Sequence, residues 1–188
     1  FFLMENEALY AHLVQTALSA GAYRAGVVPV SKIVFDRGFR KLCEQNSCGN
    51  YGKCWMCPPD AGDIDVLMAK AKGFDAALVY QTVSPLEDSY DFEGMQAGGN
   101  RHQELAHKLA DMLASEPFRT RLHLSAGGCR VCAVCAKRTN EPCRFPDQAM
   151  SSLETYGIAV SQLAELAGMK YINGQNTVTY FGAYFFTL

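Results

Sequence analysis

The eight cysteines of this chain fall in two short groups, Cys43, Cys48, Cys54 and Cys57, then Cys129, Cys132, Cys135 and Cys143, with none elsewhere. Isolated cysteines are often small buried hydrophobes, but thiols crowded this closely ask for a metal or a cross-link. A chain of 188 residues buries a sizeable core unaided, so it does not need the disulfides that staple a small secreted scaffold. The other residues must therefore build a self-sufficient scaffold from which two cysteine loops hang, which is where a fold usually carries its chemistry.

Apolar periodicity outlines that scaffold. Residues 5–20 place Leu9, Leu13, Val14, Ala17 and Leu18 at helical spacing, with Gly21 as a C-cap. Residues 25–35 are β-branched and end in the Asp36-Arg37-Gly38 turn; Pro29 makes this an edge or bulged strand. Asp63 is a candidate N-cap for a short helix carrying Ile64, Leu67, Met68 and Ala71 and stopping at Gly73, before a buried strand at 75–83. Residues 84–100 are polar and hold Pro85, Gly94 and the Gly98-Gly99 pair, which predicts a flexible loop and leaves its helical content open. A helix follows at 102–114, with Leu105, Leu109, Met112 and Leu113 on one face and Pro117 beyond its end, then a strand at 121–125.

Helical pattern returns at 148–156 and 161–167, each followed by a glycine. Asn173-Gly174 carries the signal of a tight hairpin leading into 177–186, a strand apolar on both faces and hence central. Together these predict an α/β or α+β fold over residues 4–188. It is one layered domain with a sheet of about four to five strands, helices packed on it and two cysteine-rich metal-binding loops. Met4 is read as the natural start, and residues 1–3 as an addition.

Charge narrows the partners. The net charge is -2 with a pI near 6.1, and no Lys/Arg run or basic stripe offers a footprint for phosphates, so a nucleic-acid partner is not expected. No apolar stretch approaches the roughly 20 residues of a membrane span, and the N-terminus lacks the layout of a secretory signal. A cytoplasmic location without a membrane partner is therefore expected. The expected partner is a redox protein or a small-molecule substrate.

The second group reads Gly127-Gly128-Cys129-Arg130-Val131-Cys132-Ala133-Val134-Cys135. Three cysteines at successive spacings of three suit a chain wrapping one face of an iron-sulfur cube, and Cys143, eight residues on, is the fourth ligand. The bacterial ferredoxin run has its last cysteine closer and followed by proline, so this pattern is related but different. Four thiolates also suit tetrahedral zinc, although a zinc ribbon usually presents two separated knuckles. The first group is less regular. Gly49 and Gly52 let the backbone turn its amides toward sulfides, and Pro58-Pro59 closes the loop; Cys54 is either a ligand or a bystander. A cube held by only three protein thiolates would leave one iron open, which separates a catalyst from an electron carrier.

Several segments carry a resemblance. These are Cys48-Gly49-Asn50-Tyr51-Gly52-Lys53-Cys54-Trp55-Met56-Cys57-Pro58-Pro59, the second cysteine run, Glu141-Pro142-Cys143-Arg144-Phe145-Pro146, the stretch 152–160 and Thr177-Val178-Thr179-Tyr180-Phe181-Gly182. In this order they resemble the predicted metal-binding protein family, domain of unknown function family 2284, over nearly the whole chain. The resemblance implies metal binding through cysteines in bacteria and archaea, many of them anaerobic, with no established reaction. It implies the greatest regularity at the positions matching Cys43, Cys48 and Cys57.

The remaining residues add less. Arg130, Lys137, Arg138 and Arg144 surround the second group and would offset thiolate charge or form a solvated basic face. Trp55 either shields a cluster or packs in the core. His12, His102, His107 and His123 are scattered and read as surface or core side chains, and Glu154 as a helix-surface carboxylate or an acid/base. Gly98-Gly99-Asn100 does not follow a strand as a nucleotide fingerprint does. The expectation is thus two iron-sulfur clusters of the [4Fe-4S] type on the eight cysteines, serving electron transfer in anaerobic redox metabolism. The alternatives are an open-iron enzyme acting on a small substrate near 84–100, and a non-redox zinc module that holds a partner.

Overall fold

The computed structural model describes residues 2–188, with side chains from Asn6 onward. Phe1, part of the segment read as an addition, lies outside the described residues. The elements run α1 (Phe2–Ala20), β1 (Arg24–Pro29), α2 (Phe39–Glu44), α3 (Ile64–Lys72), β2 (Ala76–Pro85), α4 (Phe92–Leu113), β3 (Thr120–Leu124), α5 (Val160–Leu166) and β4 (Thr177–Thr187). The strands form one sheet in the order β1-β2-β4-β3, every pair antiparallel. This is an α+β fold, which decides between the two classes the sequence left open.

Side chains alternate across the sheet and so build two cores. On one face Leu78, Tyr80, Tyr184 and Phe186 meet Leu13 and Ala17 of α1 and Leu105, Leu109 and Leu113 of α4. On the other, Val79, Ala183 and Phe185 meet Leu67 of α3, Leu163 of α5 and the stretch carrying Leu153 and Ile158. Phe185 and Phe186 are fully buried on opposite faces, each contributing roughly 1.5–3 kcal/mol. β4 is therefore central, as its two-sided apolarity predicts. Gly182 stands opposite Tyr80 in the register, and the Tyr80 phenol occupies the space a Cβ at 182 would need.

Several local expectations change. The expected loop at 84–100 is largely ordered: β2 extends to Pro85, and α4 starts at Phe92, where the Asp91 side chain accepts the Gly94 N–H at 2.8 Å. Gly98 and Gly99 are helical, and close neighbours occupy the space a side chain would need, Ser84 and Val178 at Gly98 and the Arg130 guanidinium at Gly99. The strand expected over 25–35 stops at Pro29, which leads into a 3-10 turn, Val30–Lys32. The Asn173-Gly174 hairpin does not form, since only its second arm is a strand.

The helix expected at 148–156 is instead a strap with one 3-10 turn, Glu154–Tyr156. It forms a bridge from Ser152 to Ser125 after β3 and another from Ile158 to Phe35 beyond β1. Buried Leu153, Tyr156 and Ile158 anchor it to the sheet. The strap thus crosses from one edge of the sheet to the other, and each cysteine loop leaves the fold near one of its ends.

Candidate metal centre

The first cysteine loop begins on α2, which carries Cys43 in its last turn, and continues as tight turns to Pro59. Left-handed backbone at Asn46, Gly49 and Gly52 (φ 56°, 76° and 70°) reverses the chain three times, a conformation glycine and asparagine reach most easily. Gly52 donates its N–H to the Pro58 carbonyl at 2.9 Å and Cys57 to that of Cys54 at 3.1 Å. Cys54 and Cys57 are buried, Cys43 is half-buried and Cys48 exposed.

The second loop follows β3. Its four cysteines, Cys129, Cys132, Cys135 and Cys143, are all half-buried. They line one narrow cavity of about 20 Å³ together with Trp55 and Phe145. Apolar walls beside thiols lower the local dielectric and keep water away.

The two loops dock on one another. The Cys54 sulfur lies among the Cys57 and Cys135 thiols and accepts the backbone N–H groups of Cys129 and Met56. These hydrogen bonds, led by that from Cys57, lower its pKa to about 5. Cys57, donor to that thiolate and itself buried, is pushed well above the ordinary thiol range. Three further links close the seam. Ser151 Oγ donates to the Met56 carbonyl at 2.8 Å, Trp55 Nε1 donates to the Glu141 carbonyl at 2.9 Å, and Lys137 Nζ pairs with Asp60 Oδ1 at 3.0 Å. Lys137 also lies 4.5 Å above the Trp55 ring, an attractive cation-π placement.

Cys43 and Cys48 sit at the other end of the first loop, close enough to interact electrostatically with each other and with Cys57. Burial raises the Cys43 thiol against the opposing pull of Arg40. Glu154, expected on a helix surface, instead belongs to the strap within electrostatic reach of Cys43, and burial raises its carboxyl. The sequence groups are therefore not two separate spatial sets: Cys54 belongs by chain to the first and by contact to both.

Among the described residues no three His, Cys, Asp or Glu side chains converge where a single metal ion would sit. A cube makes a looser demand, because it places each thiolate on a different iron. The donors are all soft sulfur, a set suited to zinc and to iron-sulfur clusters, and the thiols have backbone N–H groups and apolar walls beside them.

The histidines are engaged elsewhere by hydrogen bonds or ring contacts. His102 and His123 flank the buried Tyr80, whose hydroxyl lies 2.7 Å from His123 Nε2. His12 pairs with Glu116 on the surface and His107 with Gln103. No local sequence signal announces the Tyr80–His102–His123 group, because its members lie on three separate elements. Of the four cations near the second group, Arg144 donates to the Val134 carbonyl and Arg130 to Asn100 Oδ1 of α4. Between α4 and this loop opens a second, much larger cavity of about 720 Å³, with Cys129 and Cys132 on its wall.

Among the described residues no helix is long and apolar enough to cross a membrane. No curated protein and no solved structure matches the chain. A family model described as "Predicted metal-binding protein (DUF2284)" matches residues 26–186. That span holds all four strands but for the ends of β1 and β4, and both cysteine loops, so the chain belongs to this predicted metal-binding family.

Proposed function

We propose that the two cysteine loops hold two [4Fe-4S] clusters and that the protein transfers electrons in anaerobic redox metabolism. The observation that carries this reading is the second loop, where four thiols surround one apolar-walled cavity instead of meeting at a point. Cys129, Cys132, Cys135 and Cys143 would hold one cluster, and Cys43, Cys48, Cys54 and Cys57 the other, with Cys54 at the seam between them. A bound cluster supplies one-electron chemistry. The protein's own residues shelter it: Trp55 and Phe145 exclude water, and backbone N–H groups donate toward sulfur.

A second reading, an iron-sulfur enzyme, is favoured by the 720 Å³ cavity beside Cys129 and Cys132. In that case the substrate lies between α4 and the second loop.

Iron, sulfide and zinc analysis of anaerobically purified protein, with an electron paramagnetic resonance spectrum after dithionite reduction, tests the proposal. About eight irons and eight sulfides per chain, with two interacting reduced clusters, are expected. About two zincs without sulfide would overturn it in favour of a structural module.

A further inference from the structure

We infer that the large cavity between α4 and the second cysteine loop is a binding site for a small hydroxylated monocarboxylate, anchored by Arg130. Its wall on α4 is a polar stripe: Gln96, Asn100, Gln103, Glu104 and His107 recur at helical spacing. An amphipathic helix ordinarily leaves such a stripe to open solvent. Here Gln96, Asn100 and Glu104 are likewise solvent-exposed, but Gln103 is buried and the second loop stands opposite, so that the two border an open cleft of about 720 Å³, within the range of small-molecule sites.

The lining specifies the ligand. Arg130 has among the described residues one side-chain hydrogen bond, to Asn100 at 3.2 Å, which leaves most of its planar fork for a carboxylate. Side-chain amides at Asn50, Gln96, Asn100, Gln103 and Gln148 offer donors and acceptors together, a match for hydroxyl groups, which are also both. Among the described residues Glu104 is the one carboxylate on the wall, and it repels a second negative group, so a single anionic end is favoured over a polyphosphate.

Two glycines shape the wall. A Cβ at residue 99 would lie 2.6 Å from Arg130 Nη2, and one at residue 128 would lie 2.7 Å from Asn50 Nδ2. Each glycine therefore leaves room for a polar side chain of the cavity. Gln103 is itself 6% exposed, and its side chain lies within hydrogen-bond distance of His107 Nε2 at 3.1 Å. The site is built from this chain's own side chains and is the same with either metal.

The test is calorimetric titration of the protein as purified anaerobically, with gluconate as probe and sorbitol as its uncharged counterpart of equal length. Gluconate is expected to bind and sorbitol not. Arg130→Gln should weaken gluconate binding about tenfold or more, the loss of a charge-assisted contact, and Arg130→Lys should restore part of it. Gly99→Ala, which displaces the guanidinium without touching a cysteine, should weaken binding with metal content unchanged.

Gluconate binding no tighter than sorbitol, or undiminished in Arg130→Gln, would overturn the inference. Metal analysis of the same samples separates the two claims. Zinc-loaded protein that binds gluconate through Arg130 keeps this site and rejects the cluster reading, and iron-loaded protein indifferent to gluconate does the reverse.

Discussion

His102 is buried and His123 half-buried on either side of Tyr80. His102 is held at about 4 by burial, against a backbone hydrogen bond with Phe181 that favours the charged ring, with a smaller push from the charge of Arg130. His123 is held at about 3, again first by burial, with His102 and His107 adding to it. In the unfolded chain both return to about 6.5. Above that pH both states are neutral and the histidines cost nothing. Between 6.5 and 4 the unfolded chain binds more protons than the native one, so stability falls as acid is added, by about 1.4 kcal/mol per pH unit per proton. Urea midpoints measured from pH 7 down to pH 5 should drop, and His102→Gln should flatten that slope by one proton. Equal slopes in both proteins would exclude His102 as a cause.

At the same scale the cysteines differ in what their loss should do. Cys132→Ser removes a ligand from the second loop alone and is expected to cost about half the metal. Cys54→Ser, at the seam, is expected to cost metal from both loops, because its sulfur orients Cys57 on one side and Cys135 on the other. Metal analysis of the two purified variants decides, and full retention in Cys54→Ser would make that residue a bystander.

Among the elements, α3 depends visibly on one residue. Asp63 Oδ1 accepts the Asp65 and Val66 N–H groups at 2.9 and 3.4 Å, satisfying donors that the helix leaves unpaired. Asp63→Ala should cost about 1 kcal/mol in a denaturant titration. This cap was legible in the sequence, as were α1, the strand at 75–83 and the central place of β4, because each rests on local pattern. The misread segments depend on tertiary partners. Gly98 and Gly99 look like loop punctuation until Ser84, Val178 and Arg130 are seen filling their side-chain space. Residues 148–156 have helical apolar spacing, yet bridges at Ser152 and Ile158 pull them out as a strap. Asn173-Gly174 turns the chain, but the preceding residues find no strand partner.

At the scale of the molecule, fold and site are separable. Neither core cluster contains a cysteine among the described residues, so the sheet and its helices do not need the metal to bury their apolar faces. Stripping the metal with a chelator is expected to leave the far-ultraviolet circular dichroism nearly unchanged while the loops loosen. Global loss of the signal would show that the metal holds the whole fold, as it does in classical zinc fingers. The grouping of the cysteines along the chain is legible in the sequence, but their arrangement in space is not. The docking of the loops through Ser151–Met56, Trp55–Glu141 and Lys137–Asp60 joins residues far apart in the chain, and no local motif encodes it.

Trp55 stands at that docking seam, against the small cysteine-lined cavity, and it is the one tryptophan in the sequence. The intrinsic tryptophan emission of the protein therefore comes from a single address. Metal uptake, its loss to oxygen and any parting of the two loops should each change that emission, so the kinetics of the centre can be followed in a stopped-flow fluorimeter without attaching a dye.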